Sequence, residues 1–139
     1  MEKPFIMVVD DNKITTKLLR RYLEANGYEA QEAYDGIDCI EKVEERKPNA
    51  IVLDVMMPRM DGYETVKKLK EQDHTKDIPV VIVTALNDVA NQLKSIDAGA
   101  DDFLSKPIEE NLLVAKVKLL SSLSLYQSEA KRLKEQLES

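Results

Sequence analysis

The chain has 139 residues, enough for one domain with one sizeable core. Apolar residues make up 43% and charged residues 33%, which excludes a disordered chain, while 4 glycines and 5 prolines exclude collagen-like and low-complexity readings. Acidic residues outnumber basic ones, 26 to 20, for a net charge of -6; the basic footprint of a nucleic-acid binder is missing, and no direct nucleic-acid partner is expected.

The first apolar run, Phe5 to Val9, reads as a buried strand and passes straight into Asp10 and Asp11. It is too short for a signal peptide or a membrane span, so neither is expected. Ile14, Leu18, Leu19, Tyr22 and Leu23 follow with helical spacing and are predicted to form a core-facing stripe, with Gly27 placed to end the helix. Glu29–Ala33 is mixed in character and suits an edge strand. Ile37, Ile40 and Val43 line a second helix that stops before Pro48. Cys39, the single cysteine, lies near that stripe; it has no disulfide partner in the chain, which fits a reducing cytoplasm. Ala50–Leu53 reads as the next buried strand, with Asp54 at its end. Asp61–Gly62 is predicted to cap a third helix marked by Val66 and Leu69. Pro79–Val83 is a strand followed by Thr84; Val89, Leu93 and Ile96 mark a fourth helix stopped by Gly99. Asp102–Ser105 is a weaker strand ahead of Lys106, and a fifth helix starts near Pro107–Glu109.

Alternating strands and helices predict an α/β fold, a five-stranded parallel sheet doubly wound by helices on both faces. In such sheets the functional crevice lies outside the carboxyl ends of the strands. Asp10, Asp11, Asp54, Thr84 and Lys106 all stand at those ends. Each has an ordinary reading: an Asp-Asp pair after a strand is commonly a turn or helix cap, Thr84 a strand-end residue, Lys106 a solvated loop lysine. Their joint placement is what points to chemistry. Three carboxylates beside one ammonium call for a hard divalent cation, and Mg²⁺ suits a site with few carboxylates. Lysine and threonine beside it would hold phosphoryl oxygens, and one carboxylate would be free to attack phosphorus and form an acyl phosphate.

The stretches VVDDN (Val8–Asn12), VLDVMMPRMDG (Val52–Gly62), VTA (Val83–Ala85) and GADDFLSKP (Gly99–Pro107) resemble the receiver domains of two-component response regulators. The resemblance implies a flavodoxin-like fold with strand order 2-1-3-4-5. It further implies that Asp54 accepts a phosphoryl group from a sensor histidine kinase or phosphotransfer protein. Asp11, Asp54 and the carbonyl of Met56 would bind Mg²⁺, with Asp10 acting mainly through water. Lys106 and Thr84 would engage the phosphoryl oxygens, and Phe103 would be the aromatic switch residue, altering the surface of the fourth helix, fifth strand and fifth helix. The Lys106–Pro107 bond would be cis. Met56 and Leu86, two residues after the acceptor and after the threonine, would flank the path of hydrolytic water.

Other reactive residues read as ordinary ones. His74, the only histidine, lies in a polar segment and reads as a solvated loop residue; Cys39 reads as a packed thiol. No glycine-rich phosphate loop follows any strand. A phosphohydrolase of the haloacid-dehalogenase kind would want a second acid two residues after its nucleophile, where this chain has Met56 or Asn12. A passive helical adaptor would need none of the strand-end charges.

From Glu109 to Ser139 there is neither proline nor glycine, so an extended C-terminal helix is predicted. Leu112, Leu119, Leu123, Tyr126, Ala130, Leu133 and Leu137 trace a heptad seam interrupted by Lys116. The expected division is a receiver over residues 1–122 and a helical extension over 123–139, with a possible homodimer through that helix.

Overall fold

Short runs of β-branched and aliphatic residues form strands here because their side chains pack on both faces of a pleated sheet. The computed structural model describes residues 3–85 and 89–138, apart from the side chains of Asn91, Ser124, Leu125, Gln127 and Ser128; Leu86 lies outside them. In chain order the elements are β1 (Phe5–Val9), α1 (Lys13–Ala25), β2 (Glu29–Ala33), α2 (Gly36–Glu45), β3 (Ala50–Asp54), α3 (Gly62–Glu71), β4 (Val80–Thr84), α4 (Val89–Ala98), β5 (Asp102–Ser105) and α5 (Glu110–Glu138). The sheet is parallel throughout, in the order β2-β1-β3-β4-β5, as expected. Every residue of β1, β3 and β4 is buried. β4 begins at Val80 rather than Pro79, and Thr84 is its last residue rather than the first beyond it.

The period of two along each strand sorts the core into two halves. Met7, Val9, Ile51, Leu53, Val80 and Ile82 pack with Cys39, Val43, Val66 and Leu69 of α2 and α3. Ile6, Val8, Val52, Val81 and Val83 pack with Leu19 and Leu23 of α1 and Leu113 and Val117 of α5. β2, an edge strand, is only partly covered and contributes the small buried Ala30 and Ala33 to the core.

Two predicted stripes lie elsewhere than expected. On α1 the buried residues are Thr16, Leu19 and Leu23, while Ile14 is 80% and Leu18 45% exposed. On α4, Val89, Leu93 and Ile96 are each more than half exposed, and Ser95 is the buried residue among those described. Apolar spacing requires only that such residues share a helix face; the rotation of the helix on the sheet decides whether that face is covered. α5 buries Leu113, Val117 and Leu120, leaving Leu112 and Leu119 outside. Among the described residues no helix is long and apolar enough to cross a membrane.

Candidate functional site

The sheet register carries the site. Val9 is level with Leu53, so the next residues, Asp10 and Asp54, emerge side by side from neighbouring strands. Thr84 pairs with Ser105, which places Lys106 beside the end of β4, where its amide donates to the Thr84 carbonyl at 2.8 Å. Asp10, Asp11 and Asp54 each offer a carboxylate oxygen, and these lie within 4.8 Å of one another. The ammonium of Lys106 stands 3.1 Å from Oδ1 of Asp54. All the strand-end residues singled out in the sequence therefore meet at one mouth.

Local chemistry leaves Asp10 and Asp11 uncommitted to helix capping. The cap of α1 is Asn12, whose side chain accepts from the amides of Ile14 and Thr15, so neither Asp10 nor Asp11 serves as the helix cap. Asp10 instead accepts from the Asn12 amide at 2.9 Å, which fixes its carboxylate at the end of β1. Behind Asp54 the chain turns tightly through residues 55–61 before α3. Gly62 closes this turn, its amide donating to the Val55 carbonyl at 3.0 Å. A Cβ at Gly62 would lie 2.5 Å from the Asp54 carbonyl oxygen, so only glycine lets α3 start this close to β3. Asp61 caps α3 through the Glu64 amide, as predicted.

Burial sets the electrostatics. Asp54 and Asp10 are both nearly inaccessible. Burial pushes the Asp10 carboxyl up to about 6, reinforced by the charge of Asp54 and opposed by the Asn12 amide and Lys106. Burial likewise raises Asp54 above the usual carboxylate range, against the pull of Lys106. The hydroxyl of Thr84 is buried and has no hydrogen-bond partner among the described residues.

The Lys106–Pro107 bond is cis. Met56 is 76% exposed, and Phe103 is half-buried with the Lys116 ammonium 5.6 Å from its ring centre. Lys116 also holds both oxygens of Asp102 at 3.0 Å, a link between α5 and β5 that the sequence reading missed because it treated Lys116 only as a break in a seam. Asp35 was missed too, although it lies just beyond the carboxyl end of β2, where the strand-end rule would have found it. His74 is exposed in its loop and pairs with Glu44 at 2.5 Å. The Cys39 thiol is buried in the core, and that burial pushes it up to about 12, which makes it inert.

Residues 6–118 match the response regulator receiver domain family. The chain belongs to that family. The receiver is 41% identical over 115 residues to response regulator MprA of Mycobacterium ulcerans, covering 83% of this chain and 49% of that protein. This chain thus spans about half the length of the curated relatives it matches. Among solved structures, it resembles the signal receiver domain of a histidine kinase from Syntrophus aciditrophicus, with 34% identity, a TM-score of 0.80 and coverage of 86% of this chain and 90% of that one. NtrX from Brucella abortus gives a TM-score of 0.85 at 25% identity, covering 95% of this chain and 30% of that one. These likenesses agree with the doubly wound receiver fold described above.

Proposed function

We propose that this receiver accepts a phosphoryl group on Asp54 in a Mg²⁺-dependent reaction and passes the change to its α4–β5–α5 surface. The observation that carries the reading is the packing of three carboxylates within 4.8 Å of one another, with Lys106 paired to Asp54. The donors fit Mg²⁺: all are hard oxygens, and two of the three acids are held back from ionising by burial, a cost that a divalent cation offsets. Asp11, Asp54 and the Met56 carbonyl would hold the ion, with Asp10 acting through water; bound there, it would supply positive charge next to the phosphoryl oxygens.

Asp54 is the nucleophile in this reading. As its carboxylate oxygen bonds to phosphorus, the N–P bond of a phosphohistidine breaks, and the electron pair leaves with the imidazole of the donor. Lys106 stays close to Asp54 and stabilises the charge that spreads over the phosphoryl oxygens. The buried hydroxyl of Thr84, which has no partner among the described residues, then gains an acceptor. Its movement inward would vacate space for Phe103, repositioning α4, β5 and the start of α5.

The donor would be a sensor histidine kinase or a phosphotransfer protein in the cytoplasm. Ile14 and Leu18, exposed on α1 just beyond Asp10 and Asp11, give such a partner an apolar footing beside the acceptor. With a net charge of -6, the chain makes no direct nucleic-acid contact in this reading.

We also divide the chain at residue 122, into a receiver over 1–122 and a helical extension over 123–139. α5 continues to Glu138, yet among its described side chains the last buried ones are Leu120 and Ser121. Leu123, Tyr126, Leu133 and Leu137 are exposed along the seam, in line with Leu112 and Leu119. A second copy of the chain is the occupant we assign to that seam. In a parallel, in-register pair Glu129 and Lys134 take the flanking positions that face each other across two helices, and their charges are opposite.

Intact-mass measurement after incubation with acetyl phosphate tests the acceptor assignment. The expected result is one added phosphoryl group, absent in Asp54→Asn and suppressed by a chelator. Unchanged labelling of Asp54→Asn would overturn it.

A further inference from the structure

The turn that follows Asp54 is clamped from the side by a residue pair outside the acidic mouth. Asp35 is a buried acid at the junction of β2 and α2, and Arg59 belongs to the 55–61 turn. Nε and one terminal nitrogen of Arg59 both reach Oδ2 of Asp35, at 2.7 and 2.6 Å. The other oxygen, Oδ1, accepts from the Asp38 amide at 2.8 Å and caps α2. Against the cost of burial, that amide and the guanidinium hold the Asp35 carboxyl below its usual range.

Backbone geometry marks the same contact. Arg59 has φ +65°, a positive value found at no other non-glycine residue among those described. Next to Asp35, a Cβ on Gly36 would come within 2.8 Å of the Met60 carbonyl oxygen. The dipeptide Asp35–Gly36 therefore lies directly against Arg59–Met60, with glycine permitting the approach and the ion pair fastening it. From Arg59 the turn runs back through Met56 to Asp54 in one direction and on to Gly62, which presses on the Asp54 carbonyl, in the other.

We infer that Asp35 and Arg59 are positioning residues for the phosphoryl-acceptor site, holding the 55–61 turn so that Met56 and Asp54 present their oxygens together to the cation. Neither residue reaches the reacting atoms. The inference rests on the functional reading above, because it concerns the Met56 and Asp54 ligands assigned there. Partners that orient metal ligands without binding the metal act on its affinity, whereas the intrinsic power of the nucleophile is unchanged once the cation is bound.

Arg59→Gly and Asp35→Asn separate this role from folding. Glycine accepts positive φ, so the first change removes the side chain and keeps the turn. Asparagine keeps a side-chain oxygen for the α2 cap and removes the charge. Mg²⁺ titration of each purified chain, followed by calorimetry and by amide NMR shifts of residues 55–61, should show affinity weakened about tenfold in each variant. The double variant should lose little more than either single one, because the two residues act as a unit. With acetyl phosphate, half-saturating Mg²⁺ should rise while the rate at saturating Mg²⁺ stays within about twofold of wild type. Arg59→Lys should recover part of the affinity. Variants that bind Mg²⁺ as tightly as wild type would overturn the inference alone. A wild-type chain that binds no Mg²⁺ would overturn the functional reading, and this inference with it.

Discussion

The Lys106 ammonium lies 3.1 Å from Oδ1 of Asp54, although α3, β4, α4 and β5 separate the two residues in the chain. The pair joins a nearly inaccessible carboxylate to a lysine whose side chain is 45% exposed, so the charge can follow the site as its occupant changes. A charge-assisted contact of this kind is worth roughly 1.5–3 kcal/mol. If it strengthens as the phosphoryl group transfers, Lys106→Ala should slow labelling of Asp54 by roughly 10- to 100-fold. A time course by intact mass, at fixed Mg²⁺ and acetyl phosphate, checks this; a rate within twofold of wild type would remove Lys106 from the reaction.

Thr84 offers a test with opposite signs in two states. Its hydroxyl is buried and has no partner among the described residues, so the unmodified protein bears a desolvation cost that an isosteric apolar group avoids. Thr84→Val should therefore raise the stability of the unphosphorylated chain by about 1 kcal/mol. The same change should abolish the shift that a phosphoryl mimic induces in the amide resonances of β5 and α5. Thr84→Ser should keep the shift. Urea denaturation and NMR with beryllofluoride measure the two effects.

The raised Asp10 carboxyl makes stability depend on pH. Its folded value is about 6 against an ordinary value of 3.8, so the folded chain holds this proton more tightly than the unfolded chain does. The favourable contribution is complete below about pH 4 and is lost as pH rises through about 6. In metal-free buffer, Asp10→Asn should thus be more stable than wild type at pH 7, by roughly 1–2 kcal/mol, with the gap closing towards pH 4. Added Mg²⁺ should stabilise wild type more than the variant. Denaturant midpoints at several pH values decide it.

In the proposed reaction, Met56 bears on how long the modification would last. Its side chain is 76% exposed beside the acceptor, and a thioether can neither orient nor polarise an attacking water. Met56→Asn should shorten the lifetime of phosphorylated Asp54 several-fold, roughly 3- to 10-fold. Loss of the added mass after removal of acetyl phosphate reads this directly, and equal decay would exclude the side chain. Leu86 was expected to flank the same path from the other side; it lies outside the described residues.

The α5 seam predicts concentration-dependent dimers in sedimentation, strengthened by beryllofluoride. Leu133→Glu with Leu137→Glu should weaken them at least tenfold, since charges replace two apolar seam positions. Glu129→Lys alone should weaken them less, and adding Lys134→Glu should restore part of the loss, as a parallel pairing requires. A chain that stays monomeric at high concentration with the mimic bound would rule the seam out as the contact.

Much of the molecule was legible in residues alone, because the relevant signals are local. Four short apolar runs and one mixed segment announced the strands, and the ends of the apolar runs announced Asp10, Asp11, Asp54, Thr84 and Lys106, since a strand's length and period are written into a few consecutive side chains. Glycine at 27 and 99 marked two helix ends, and both have positive φ in the structure. The parallel order of the sheet then brought the acids together by register. Helix burial was a different matter. Ile14, Leu18, Val89, Leu93 and Ile96 have the spacing of core residues, yet they face outward, because amphipathic spacing defines a face and only the packed neighbours determine whether it is covered. Tertiary structure alone also decided the contacts between segments distant in sequence, Arg59 against Asp35 and Lys116 against Asp102, and it buried the Thr84 hydroxyl with no partner among the described residues. Such pairings depend on where two segments meet in space, and no local pattern of residues encodes that distance.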